Sequence, residues 1–547
     1  MKTEKYTLNR EIEANKEIDS TRIKPRLARI VVWVFISLLF SVPLIQLLFD
    51  SPFKKENLRI FTARKVAKTD SWVDNILNRN THCMQMISAW EKQMEETSFL
   101  QNYSSPLFQT VLTGLLHTGN EKAVVGKDGW LFYEKDISYL TSHPIVSIDT
   151  NVSNPGKKSP AACISDFAQQ LENQGIKLIV MPVPLKPLLY PEKLSNAYSE
   201  NDILQNQEYH TFIAELKSRN IRVFDPTEIL RSMKKKKEKV FLKTDTHWTP
   251  EAMEKVAGSL SRFLLDSVQV EPGSDFYGKD SIEIVQQGDI YTMLKLKKTL
   301  PLFPPEKVTI HSILNEREEY WQPAKTAEVL FLGDSFSNIY SLEGMGWGKT
   351  AGLAEHLSYF LQQPIDAIRR NDQGSIATRQ MLQTEQKKGR NRLAGKKVVI
   401  WEFAMRELTQ GNWTPLNMAN LEGEQSSSFL TLPDTTSLLI RATVEDRSAS
   451  PHPDKVTYAD HVIALHLTDL TDEEGNPLQK EALVYMLAMK NRQLTPAASL
   501  RTGDVITIKL ESWKLHEAEE GAYNRNELDN SDLLLEEPLW GTLIKLK

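Results

Sequence analysis

The chain has 547 residues, a formal net charge of −5 and 41% hydrophobic residues, which gives room for several domains of about 100–200 residues each. The slight acidity argues against a general nucleic-acid binder. The only cysteines, Cys83 and Cys163, have no zinc-type spacing; they can pair in an oxidising compartment or remain buried thiols, the latter being preferred.

Residues 1–29 read as a cytoplasmic tail. Ile30 to Phe49 follows without a charge, and at about 1.5 Å per residue it is long enough to cross a bilayer core of about 30 Å. It exceeds a signal-peptide core and no small-x-small cleavage site follows, so it reads as an uncleaved transmembrane signal anchor, with a buried helix as the alternative. Eight Lys/Arg precede it and six lie between Lys54 and Lys68, a balance that places the N-terminus in the cytoplasm. Residues 50–120 form a predicted helical stalk or juxtamembrane region, in which Trp72, Ile76, Leu77, Met84, Ile87 and Trp90 recur at helical spacing.

Residues 121–420 alternate apolar strands with helical stretches. Strands are expected at 176–182, 222–225, 329–332 and 397–403, and helices at 159–174, 202–220, 250–266, 350–362 and 375–388. That rhythm predicts βαβ units, hence an α/β domain with a mostly parallel sheet. Residues 270–325, rich in Pro, Gly and charge, interrupt it as an insertion. Residues 421–547 change texture: short strands at 438–444, 461–467, 482–487 and 505–510 predict a small β-rich accessory domain, sandwich or barrel. Its Trp513, Tyr523 and Trp540 pack in the core or dock onto the first domain, with stacking on sugars as the alternative.

Two strings carry the chemistry. Thr244-Asp245-Thr246-His247-Trp248 supplies a carboxylate and an imidazole; if the strand at Val240-Phe241-Leu242 stays extended through His247, both project to one face. Phe331-Leu332-Gly333-Asp334-Ser335-Phe336-Ser337 places a serine where a buried strand ends, the edge at which open α/β sheets hold their sites. A serine needs a base to take its proton, and that base needs a carboxylate to hold its tautomer. Asp245, His247 and Ser335 are therefore the expected catalytic set. Helix capping by Asp334 or Ser335 and a solvated Asp-x-His turn are the structural alternatives. The Lys234–Lys237 run reads as a solvated turn rather than a polyanion site.

The D-x-H-W string preceding G-D-S-F-S resembles the AlgJ/AlgX-like polysaccharide O-acetyltransferases, whose catalytic domain is a variant SGNH hydrolase fold; ordinary SGNH hydrolases carry the serine first. Similar segments are Val124 to Tyr133, the family's opening strand, Val180 to Lys186, a central strand end, and Val398 to Leu408, its last strand, so the resemblance spans about residues 121–415. It implies an acetyl-serine enzyme acting on an exported polysaccharide outside the cytoplasmic (inner) membrane, on the periplasmic side. A membrane-bound O-acyltransferase is the implied acetyl donor, with no cofactor and no metal. An acetylesterase with the same triad and a non-catalytic polysaccharide-binding or assembly subunit are the rival readings. Beside the Ser335 backbone N–H, Asn371 is a candidate oxyanion donor, matched loosely to the SGNH asparagine block, with a turn-forming Asn-Asp pair as its rival. Arg406 lies in the family's W-E-x-x-x-R-E-L string and is assigned to substrate contact or to an ion pair with Glu402. Lys186 is assigned to substrate positioning or structural support, and Trp248 and Trp347 to sugar platforms.

Overall fold

The computed structural model describes residues 24–49, 99–142, 159–419 and 429–546, apart from scattered positions within them, together with a few isolated positions such as Cys83, Met84, Ile87 and Ile145. The chain divides into two compact units, Met1–Phe108 and Gln109–Lys547. In the first, α1 covers Pro25–Phe49 and contains the charge-free run, with Val31, Trp33, Phe35 and Phe40 exposed. Several side chains toward its end lie outside the described residues, and among the described residues no helix is long and apolar enough to cross a membrane. The spanning reading of 30–49 therefore gains no support from the structure. Trp72, Ile76, Leu77 and Trp90 lie outside the described residues, whereas Met84 and Ile87 are helical. Among the described residues no disulfide forms. Helix α2 covers Phe99–Leu116.

The α/β domain opens with a hairpin of β1 (Ala123–Val125) and β2 (Leu131–Tyr133), followed by α3 (Glu134–Thr141). Next come α4 (Pro160–Glu172), β3 (Lys177–Val183), α5 (Tyr209–Ser218), β4 (Arg222–Val223), α6 (Thr227–Lys235) and α7 (Pro250–Phe263). The predicted insertion is an antiparallel hairpin of β5 (Gly278–Gln286) and β6 (Glu306–Leu314), with short α8 (Asp289–Met293) between them. The rhythm resumes with β7 (Val329–Gly333), α9 (Ser335–Asn338), α10 (Leu353–Leu361), β8 (Asp366–Arg369), α11 (Gly374–Lys387) and β9 (Val398–Ala404). Five strands pair in the order β4-β3-β9-β7-β8, all parallel. Every residue of β7 and β9 is buried, as expected of a sheet covered on both faces. β9 slots between β3 and β7, so three strand ends converge at the carboxyl edge where Ser335 begins α9.

The C-terminal domain contains β10 (Ser437–Arg447), β11 (His461–Thr471), β12 (Ala482–Lys490), β13 (Gln493–Leu494), β14 (Val505–Ser512), β15 (Asn524–Asn526) and β16 (Pro538–Leu546). Neighbours run β12-β16-β14-β10-β11, and β11 also pairs with β12, which closes the five strands into a barrel. Closure removes the exposed strand edges that a small open sheet would leave. The four strands expected from sequence are staves; β16, the fifth, was missed because Pro538 and Gly541 interrupt its apolar pattern. A Cβ at Gly541 would run into the Val484 and Ile508 methyl groups and press on Met486, so a larger residue there would force the barrel interior to shift.

Candidate active site

Asp245 and His247 do not lie on an extended strand. The chain reverses: Leu242 N–H donates to the His247 carbonyl at 3.1 Å, Thr249 N–H donates to the Val240 carbonyl at 2.9 Å, and Phe241 bridges Trp248. The pairing of the two side chains therefore comes from a turn, in which one Asp245 oxygen accepts from both the His247 backbone N–H, at 3.1 Å, and its ring Nδ1–H, at 2.7 Å. Short polar side chains that bond backbone two residues on favour such a bend. Thr249 then caps α7, accepting from Ala252 N–H at 3.3 Å with Pro250 at the first helical position.

The insertion holds this turn from the other side. Glu306 accepts from the Thr244 N–H and hydroxyl and from the Lys243 N–H, at 2.8–2.9 Å. Asp289 accepts from the Thr246 N–H at 2.7 Å and hydroxyl at 2.8 Å, while its own N–H donates to the second Asp245 oxygen at 2.9 Å. A Cβ at Gly288 would strike the Thr244 carbonyl, so a glycine lets α8 come this close. The indole N–H of Trp347 donates to the same Asp245 oxygen at 2.9 Å.

Ser335 is delivered by the β7–α9 junction. Asp334 caps α9 by accepting from Phe336 N–H, and its other oxygen accepts from Ala404 N–H at the end of β9, both at 2.8 Å. Glu402 accepts from Asp334 N–H at 2.9 Å, and burial beside Asp334 pushes its carboxyl well above the usual range. A Cβ at Gly333 would collide with Phe331 and Ser337 and press on Glu402. These contacts bring the Ser335 hydroxyl to 2.9 Å from His247 Nε2.

Charge is distributed to suit that relay. Burial disfavours the Asp245 carboxylate, yet His247, the Asp289 N–H and the Trp347 N–H together hold it down to about 2. Burial likewise opposes the imidazolium, but the Asp245 bond and charge win and raise His247 above its ordinary value. Asp289, half-buried, is pushed up to about 6 by desolvation and the neighbouring Asp245 charge. The arrangement opens on a cavity of about 570 Å³ lined by His247, Ser335, Asp289, Asn371 and Arg406, with Tyr458 and Asn524 from the C-terminal domain.

A family model described as "SGNH hydrolase-like domain, acetyltransferase AlgX" matches residues 123–405. The chain belongs to this family. It is accordingly an O-acetyltransferase with an SGNH hydrolase-like α/β domain. It is 26% identical over 340 residues to the probable alginate O-acetylase AlgJ of Pseudomonas aeruginosa, covering 59% of this chain and 80% of that protein. It is 25% identical over 236 residues to the corresponding Azotobacter vinelandii protein, covering 42% and 57%. Among solved structures it is similar to the O-acetyltransferase domain of Pseudomonas putida AlgJ, with a TM-score of 0.40 and 20% identity over 53% of this chain and 93% of that one.

Within the acetyltransferase domain the structure brings Asp245, His247 and Ser335 together, and Asn371 and Arg406 line the same cavity. Asn371 accepts from the Asn338 amide at 2.8 Å, which commits its carbonyl and leaves its NH2 as a donor. Arg406 pairs with buried Asp136 at 2.9 Å, not with Glu402, which is turned to Asp334. The two sugar platforms need correction, and Lys186 takes its structural-support alternative and not substrate positioning. Trp248 is fully buried, donating to the Phe336 carbonyl at 3.1 Å, so it fixes the His turn to the Ser helix and offers no face to a sugar. Trp347 is buried too and serves Asp245. Lys186, also buried, donates to the carbonyls of Leu131 at 2.8 Å and Lys243 at 3.1 Å, so it tethers the His turn to β2 and does not line the cavity; burial pulls its amine down to about 8. Asp289, Glu306 and Asp136 escaped sequence reading because each reaches the site across a long sequence separation, without a local spacing.

The barrel docks on the α/β domain through polar contacts. Lys325 pairs with Glu517 at 2.7 Å, Lys388 donates to the Glu536 carbonyl at 2.6 Å, and Arg370 lies 3.7 Å from Glu527. Trp540 is buried and packs with Tyr485, Trp513 and Tyr523 in a second apolar cluster, on the opposite face of the staves from the barrel core, so these rings are packing residues.

Proposed function

We propose that the chain transfers acetyl groups to hydroxyls of an exported polysaccharide through an acetyl-serine intermediate. The observation that carries this reading is the relay of Asp245, His247 and Ser335, at 2.7 Å and 2.9 Å. His247 Nε2 takes the hydroxyl proton as Ser335 Oγ attacks the acetyl carbonyl carbon of the donor. The Ser335 N–H and the Asn371 NH2 face the resulting oxyanion. The intermediate collapses, the donor oxygen or sulfur leaves with the proton from His247, and the acetyl group stays on Ser335. A sugar hydroxyl then gives its proton to His247 and attacks that ester; Ser335 recovers the proton as it departs. Throughout, Asp245 fixes the imidazole tautomer and offsets its positive charge.

The polysaccharide class rests on the alginate O-acetylases to which the chain is similar. The charge-free sequence Ile30 to Phe49 is read as a single anchor in the inner membrane, and the resemblance to the AlgJ/AlgX-like family is what suggests the periplasmic side and a membrane-bound O-acyltransferase as acetyl donor. Water in place of the sugar would make the same relay an acetylesterase. The test gives purified full-length chain in detergent an activated acetyl ester, with and without candidate oligosaccharides, beside Ser335→Ala. Acetylated oligosaccharide formed only with intact Ser335 is expected. Free acetate released at the same rate whatever sugar is present would replace transferase by esterase, and binding without turnover would sink both.

A further inference from the structure

A second group of histidines and a carboxylate lies outside the cavity, formed by Glu254 on α7, His311 on β6 and His356 on α10. One ligand atom from each falls within 4.8 Å of the others. His356 is fully buried, and its Nδ1 lies 3.0 Å from the Gly352 carbonyl, which can only accept, so Nδ1 carries the proton. The opposite nitrogen, Nε2, makes no hydrogen bond of good geometry and lies 3.3 Å from Glu254 Oε1. That contact needs a positive charge to offset the carboxylate oxygen, supplied either by a second ring proton or by a metal ion between the two atoms. Two donors each about 2.0–2.1 Å from a tetrahedral zinc are themselves about 3.3 Å apart. His311 Nδ1 also meets Glu254 Oε1, and its ring is 32% exposed, leaving a solvent route and an open fourth position. Lys279 pairs with the other carboxylate oxygen at 2.8 Å, which orients Glu254 and keeps Oε1 toward the two rings.

We propose that Glu254, His311 and His356 bind a divalent transition-metal ion, zinc by the match of two imidazoles and one carboxylate. The ion takes Glu254 Oε1, His311 Nδ1 and His356 Nε2, and the proton shared between His311 and Glu254 leaves to solvent. The Gly352 carbonyl on His356 is the outer partner that sets a metal-bound imidazole's tautomer. Because α7 starts directly after the His247 turn and α10 follows the Trp347 segment, the ion clamps together three elements that back the acetyltransferase site. Its role is structural, and no step of the transfer passes through it.

The experiment uses the full chain in detergent, treated with chelator, dialysed, and reloaded with zinc or cobalt. The expected result is one metal per chain by mass spectrometry of the elements, a visible absorption band with cobalt, and a higher melting temperature on loading. His311→Ala, a substitution at a partly exposed site that leaves the fold standing, is expected to weaken zinc binding at least about tenfold. Wild-type chain that retains no metal and shows no melting shift would overturn the proposal. So would unchanged affinity in His311→Ala, which would place the metal at Asp245, His247 and Asp289 instead, a location reported independently by loss of binding in Asp289→Asn.

Discussion

Two histidine–carboxylate groups flank the start of α7, and they use the same chemistry toward different ends. At the Asp245 group, one oxygen accepts two N–H bonds from His247, the other accepts from Asp289 and Trp347, and the far imidazole nitrogen meets a serine hydroxyl. Donors and acceptors match one to one, and a proton can move along the line. At the Glu254 group, two imidazoles converge on one carboxylate oxygen, and the buried nitrogen of His356 makes no hydrogen bond of good geometry. The difference teaches that a His–carboxylate contact is defined by what lies on the far side of the ring. A hydroxyl there makes a relay for a proton, whereas a carboxylate oxygen there calls for a positive charge, a second ring proton or a metal ion.

The comparison breaks most sharply at the serine. Ser335→Ala removes the nucleophile, and kcat/KM for acetyl transfer is expected to fall by about 10⁶-fold, read by oligosaccharide acetylation with melting temperature preserved. Asp245→Asn keeps the turn but supports the wrong imidazole tautomer, with an expected loss of about 10⁴-fold. Asn371→Ala withdraws one oxyanion donor and is expected to lower kcat by about 10²–10³-fold with KM little changed, which steady-state kinetics separates. Trp347→Phe takes one N–H from Asp245 and is expected to cost about tenfold in rate and about 1.5–3 kcal/mol of stability by thermal unfolding. None of these is expected to alter metal content, while His311→Ala is expected to alter it alone.

The pH profile sharpens the same contrast. His247 acts as a base when neutral, and Asp245 raises its pKa above 6.5, so kcat/KM is expected to rise with pH through a midpoint above 6.5. Removing the Asp245 charge should move that limb to lower pH. Linkage runs the opposite way for folding: the stabilisation from His247 is full below about pH 6.5 and is lost as pH rises through the higher folded value. Activity and stability measured side by side on one buffer series check both signs.

The alternation of apolar runs disclosed the α/β domain because fully buried strands such as β7 and β9 must read as unbroken hydrophobic stretches. Barrel closure was less legible, since β16 pairs in parallel with β12 across a long separation and its pattern is broken by glycine. Whether Asp245 to His247 is extended or bent was left open by the sequence, because alternating spacing cannot distinguish a strand from a turn whose side chain bonds its own backbone. Aromatic residues beside the motifs looked like sugar platforms; composition does not say which face of a ring is covered.

By itself the sequence determined the chemical inventory: a carboxylate and an imidazole two residues apart, a serine after a glycine at a strand end, and their unusual order along the chain. Those are local facts, set by covalent spacing and by strand propensity. Tertiary structure decided everything that depends on burial and on distant partners. It set Asp289, Glu306 and Trp347 around the His turn, turned Glu402 from Arg406 to Asp334, sent Arg406 to Asp136, and gathered Glu254, His311 and His356 from three elements. The reason is physical: a buried polar group must find a partner wherever the fold supplies one, and that partner need not be near in sequence.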